Sequence, residues 1–169
     1  MGRETAIGSF SGAQDARGLR AALGQGEGAV NRAIGFSSLL LCVVSGMVLG
    51  LWSFVGPIPV PEFIGAYDEL PRRLLRLGHI AFFGLGMINL ALAGQARRLP
   101  FTAASRARAL ALMNLGNIGL PPLLIAAAWV PALVYLAPFP VFCVFLSLCL
   151  AAGAAWRGCL GGNAARDGA

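Results

Sequence analysis

The sequence predicts an all-α membrane protein: four transmembrane helices packed as an antiparallel bundle, preceded by a flexible N-terminal tail. Three observations carry that prediction. Of the 169 residues, 57% are hydrophobic and 12% charged, and the mean hydropathy of +0.74 exceeds what a water-exposed surface tolerates. Charge-free runs long enough to cross a bilayer recur along the chain. The arginines fall singly or in pairs beside those runs, where they act as topology signals.

Residues 1–33 carry Arg3, Arg17, Arg20 and Arg32 among Gly, Ala and Ser, without sustained apolar periodicity, and are expected to form the tail. Ala6 stands where a myristoylation pattern needs Ser or Thr, and the tail is too polar and too long for the n-region of a signal peptide. The first span is therefore expected to be retained, over about 34–55, with Trp52 and Phe54 at its aromatic boundary. Gly56, Pro57, Pro59 and Pro61 stop it, because proline supplies no N–H and restricts the residue before it.

The second span is read over 71–96. Asp68 and Glu69 precede it, where carboxylates face the positive end of a helix dipole, and each lies four residues before an arginine, Arg72 or Arg73. Arg97 and Arg98 close this span, and Arg106 and Arg108 follow in a basic loop. The uncharged stretch from Ala109 to Trp156 is too long for one span and accommodates two, over 109–130 and 139–156. Their turn is expected near Pro131 to Pro138, flanked by Trp129 and Tyr135 at headgroup level. The membrane domain then covers 34–157, and 158–169 form a short C-terminal tail.

Orientation follows from arginine counts. Arg17, Arg20, Arg32, the four of the middle loop and Arg157 share one side, against Arg72, Arg73 and Arg76 on the other. This places both termini on the cytoplasmic side of a multi-pass protein of the inner membrane. All the basic residues are arginine, and with the heavy use of Ala and Gly this points to a GC-rich bacterial genome.

The net charge of +6 forms no long basic run, so no nucleic-acid partner is expected. Cys42, Cys143, Cys149 and Cys159 show no C-x-x-C spacing and read as small hydrophobes. No H-E-x-x-H, G-x-S-x-G or Walker loop is present, so nothing in the chain announces an enzyme. None of the seven acidic residues lies within a span, which disfavours an exchanger built on an intramembrane carboxylate.

Candidate sites are therefore the polar residues within the spans. His79 is the only histidine, and Arg72, Arg76 and His79 share one face of the second helix at i, i+4 and i+7, continued by Phe83 and Gly86. The functional reading is an axial heme ligand, with Arg72 and Arg76 on propionates or another anionic group. One histidine would need a second copy or a partner to complete bis-histidine ligation. A pH-sensing or proton-relay role is a further reading of this residue. The plain alternative is a histidine hydrogen-bonded to a neighbouring helix while the arginines anchor in headgroups. Cys143 falls at a comparable depth in the fourth helix.

Asn89, Asn114 and Asn117 form the second candidate. Asn89 lies about 22 Å along the second helix, and Asn114 and Asn117 lie about 8 to 12 Å into the antiparallel third, so their depths coincide. The expected purpose is an interhelical amide hydrogen bond. The alternative is a small polar site beside the break at Pro121 and Pro122. Gly46 and Gly50 form a G-x-x-x-G, and Gly84 and Gly86 thin the second helix, so close backbone packing is expected.

These features leave three function classes. The one requiring fewest special features is a non-enzymatic accessory or interaction subunit, whose partners are the lipid bilayer and other membrane subunits or its own copies. The others are a heme- or metal-binding electron-transfer subunit using His79, and a small oligomeric permease or channel with a polar site at Asn89, Asn114 and Asn117.

Overall fold

Hydrophobic runs of this length satisfy their backbone polar groups as helices, and the computed structural model is all-helical among the residues it describes, which are 26, 28–53 and 56–164. Helix α1 spans Ala29–Leu51 and α2 Leu70–Gln95. Helix α3 spans Ala103–Ala127, a 3-10 turn covers Pro131–Leu136, and α4 runs Pro138–Ala164. Among the described residues four helices are long and apolar enough to cross a membrane, which makes this a small polytopic membrane protein.

The hydrogen-bonded helices extend beyond the apolar runs that locate them. α1 begins at Ala29, so 29–33, which read from sequence as tail, belong to the first helix, entered through Gly28 in a left-handed conformation (φ 83°). Residues 1–25 and 27 of the tail, Arg3, Arg17 and Arg20 included, lie outside the described residues, as do Phe54 and Val55 at the end of the first span. α3 begins six residues before Ala109 because Thr102 caps it, accepting from the Ser105 N–H at 3.2 Å. α4 continues to Ala164, into the segment read as C-terminal tail. Pro71 sits in the first turn of α2, where its missing N–H costs no helical bond. Pro121 and Pro122 lie inside α3, and each withholds the donor owed to the carbonyl four residues earlier, those of Asn117 and Ile118.

Successive helices run antiparallel, with α2 and α3 in the middle, α1 packed chiefly on α2 and also against α3, and α4 packed on α3. Glycines fix the closest approach. A Cβ on Gly35 would fall 3.1 Å from the Gly86 carbonyl oxygen, and one on Gly86 would fall 3.1 Å from that of Gly35, so the α1 and α2 backbones meet at this crossing. Gly46 faces the His79 ring, whereas Gly50 and Gly84 have nothing within 4 Å of an added Cβ. On the other side of the bundle Gly116 admits Pro140 and Val144 of α4.

Two apolar cores cap the bundle. At the end carrying the α1–α2 connector, Ile64, Leu74, Leu75, Ala127 and Ala128 are buried against Trp52. At the end carrying the α2–α3 loop, Leu92, Ala96, Leu110 and Met113 form the second. Polar layers occupy the length between them.

Candidate functional site

A polar side chain in hydrocarbon needs a partner, and α1 supplies small polar residues at a spacing of seven: Asn31, Ser38 and Ser45. A seven-residue step keeps side chains on one seam of a closely packed helix pair. Each of the three meets a polar group across that seam.

The first layer is a ring of asparagines. Asn31 Nδ2 donates to Asn89 Oδ1 at 2.7 Å, Asn89 Nδ2 to Asn114 Oδ1 at 3.0 Å, and Asn114 Nδ2 to Asn31 Oδ1 at 3.1 Å. One amide comes from each of α1, α2 and α3, and every one both donates and accepts. Asn31 Nδ2 spends its second proton on the Leu110 carbonyl at 2.9 Å. Asn31 and Asn89 are buried, at 3% and 0% exposure.

The second layer lies about two turns along α1. Ser38 Oγ donates to Asn117 Oδ1 at 2.8 Å, and Asn117 Nδ2 donates to the Leu85 carbonyl at 3.4 Å. The structure thus separates the three asparagines read together from sequence: Asn89 joins Asn114, whereas Asn117 bonds Ser38. A further pair, Ser147 Oγ to the Ala109 carbonyl at 2.7 Å, ties α4 to α3. Among the described residues all five buried polar side chains, Asn31, Ser38, Asn89, Asn117 and Ser147, are hydrogen-bonded between helices.

His79 forms the third layer. Its Nδ1 lies 3.1 Å from Ser45 Oγ and 3.7 Å from Cys42 Sγ, and Ser45 Oγ donates to the Cys42 carbonyl at 3.0 Å. The pattern that satisfies all these groups has Nδ1–H donating to the Ser45 hydroxyl. The ring rests on Gly46, where an added Cβ would stand 2.8 Å from Cε1. The cysteine beside His79 is therefore Cys42 of α1. Cys143, read at a similar depth, is buried on α4 and makes no hydrogen bond to His79.

The arginines of the same α2 face turn elsewhere. Arg72 donates to the Trp52 carbonyl, and Arg76 Nη2 donates to the Tyr67 carbonyl at 3.0 Å. Both guanidinium groups lie over the Tyr67 ring, at 5.3 and 3.8 Å from its centroid. His79 faces α1 while Arg72 and Arg76 close over the connector, so the three residues do not converge on one ligand. Among the described residues no group of three or more His, Cys, Asp or Glu side chains gathers at metal distance.

Sequence reasoning passed over Asn31, Ser38 and Ser45. Their signal was the seven-residue step, hidden because the apolar run marking α1 begins only at Ile34. The fold and these layers define a class: a small four-helix membrane protein whose intramembrane polar groups pair with one another. No family model, curated protein or solved structure matches the chain.

Proposed function

We propose that this chain is a non-enzymatic accessory or interaction subunit of a membrane assembly, embedded in a bacterial inner membrane with both termini cytoplasmic. The observation that carries the reading is the closed asparagine ring, in which the amide groups that would serve a ligand or a permeating solute are spent on one another. The flanking helices support it. The most apolar stretch of α1 is only 11% buried, and Phe36, Leu40, Val43 and Met47 lie exposed along it, available to lipid or to another helix. Purification from the native membrane in mild detergent, with identification of co-purifying proteins, tests the reading. A reproducible stoichiometric companion is expected; a chain recovered alone that moves an ion or metabolite in proteoliposomes, with that activity abolished in Asn114→Ala, would overturn it.

One observation favours a second reading, a heme- or metal-binding subunit. Ser45 holds His79 through Nδ1 and leaves Nε2 without a hydrogen bond to a described residue, the arrangement by which proteins orient a histidine toward a metal. The missing axial ligand would come from a partner or a second copy. A Soret band lost in His79→Ala would select this reading over the first.

A further inference from the structure

The connector end of α2 carries three arginines, and two of them, Arg72 and Arg73, have an acidic residue four positions earlier, Asp68 and Glu69. Those pairs do not form among the described residues: Arg72 and Arg76 bond backbone carbonyls, and the Glu69 carboxylate folds back against Gly65, whose added Cβ would fall 2.0 Å from Oε2. Arg73 and Arg76 instead border a groove of about 570 Å³ on the exposed side of α2, with Tyr67 at its rim. Its remaining wall is apolar, and Leu77 and Ile80, 51% and 60% exposed, continue it toward the middle of the helix.

We propose that this groove binds an anionic phospholipid, with Arg73 and Arg76 on the headgroup phosphate and Leu77 and Ile80 along the first part of an acyl chain. Arg73, Arg76, Leu77 and Ile80 stand at i, i+3, i+4 and i+7, so charge and apolar wall form one stripe about 10 Å long. Arginine matches phosphate oxygens with two parallel N–H donors. Arg76 is held ready for this by the Tyr67 ring and carbonyl, which use one of its five N–H groups and leave the others available.

Depth supplies an independent argument. Tyr67, Trp129 and Tyr135 are all exposed at this end of the bundle, as aromatic residues at headgroup level are. A phosphate attached to a chain meets both halves of the groove, whereas a free phosphate meets only its polar rim. The inference rests on the membrane placement and is independent of whether the chain serves a partner.

The test uses the full chain, reconstituted in phosphatidylcholine bilayers containing phosphatidylglycerol, released in mild detergent and examined for bound lipid by native mass spectrometry. Wild type should retain phosphatidylglycerol over phosphatidylcholine by about tenfold, because both lipids offer the phosphate but the choline cation opposes the two arginines, at a cost comparable to one charge-assisted contact. Arg73→Gln combined with Arg76→Gln should lower it to the phosphatidylcholine level, and Arg97→Gln with Arg98→Gln, at the opposite end of α2, should leave it unchanged. Because Arg76 also holds the connector, two milder variants decide if the double variant fails to fold. Arg73→Gln removes an exposed charge, and Leu77→Trp fills the groove while keeping both arginines; each should reduce retention severalfold. Equal retention of the two lipids by wild type, retention unaltered in both milder variants, or displacement of the lipid by inorganic phosphate would each overturn the proposal.

Discussion

Asn31 and Asn89, 58 positions apart, are joined side chain to side chain at 2.7 Å between the first turn of α1 and the last third of α2. Asn114 of α3 closes the ring, so the register of three helices is set by one hydrogen-bonded cycle. A neutral amide bond between membrane helices contributes on average about 0.6 kcal/mol. Opening a closed ring costs more, because a donor and an acceptor are left unpaired where water does not reach.

The first prediction is that Asn31→Leu destabilises the folded protein by about 1 to 3 kcal/mol, read as a lower midpoint of thermal unfolding in detergent. Asn89→Leu should cost less, because Asn31 keeps the Leu110 carbonyl as an acceptor. An unaltered midpoint in both variants would show that the amides do not meet in the folded protein.

Gly86 and Gly84 should respond in opposite ways. Gly86→Ala places a methyl group 3.1 Å from the Gly35 carbonyl oxygen, and forcing the helices apart costs about 1 to 3 kcal/mol. Gly84→Ala meets nothing within 4 Å and gains helix propensity, so its effect should lie between zero and about 1 kcal/mol of stabilisation. Thermal unfolding of the two variants side by side checks the crossing point of α1 and α2.

This contrast shows where the sequence informs and where it does not. The four helices are legible because a charge-free run of bilayer length has few alternatives. The depth match of Asn89 with Asn114 follows from rise per residue alone. Gly50 reads as a packing residue from its G-x-x-x-G with Gly46, and Gly84 from its place beside Gly86, but which face of a helix meets a neighbour depends on its rotation, and the apolar composition all around α1 carries little information about rotation. Asn31 and Ser38 carry that information. A polar residue in an apolar helix marks the face that packs, and the step from 31 to 38 to 45 traces the seam.

Ser147→Ala should loosen α4 from α3. The Ser147 hydroxyl is fully buried and donates to the Ala109 carbonyl at 2.7 Å, so its removal leaves a buried carbonyl short of a partner, a loss of about 0.5 to 1.5 kcal/mol. Protease accessibility of the α3–α4 turn, which should increase in the variant, offers a local readout besides the unfolding midpoint.

His79 separates the two functional readings. Under the accessory reading, the protein expressed with ample heme shows no Soret band, and His79→Gln, which keeps a donor toward Ser45, preserves stability better than His79→Leu by about 0.6 to 1.7 kcal/mol. Absorption spectra and unfolding midpoints of the three proteins decide the matter.

The central claim is that the intramembrane asparagines bind each other and thereby hold the helices in register. A double-mutant cycle on Asn89 and Asn114, each changed to leucine singly and together, measures that relationship directly through unfolding free energies in one detergent. The predicted result is non-additivity: the double variant loses less than the sum of the single losses, with a coupling of about 0.5 to 2 kcal/mol. Additive losses within about 0.3 kcal/mol would contradict the account and return these residues to the list of candidates for a polar site.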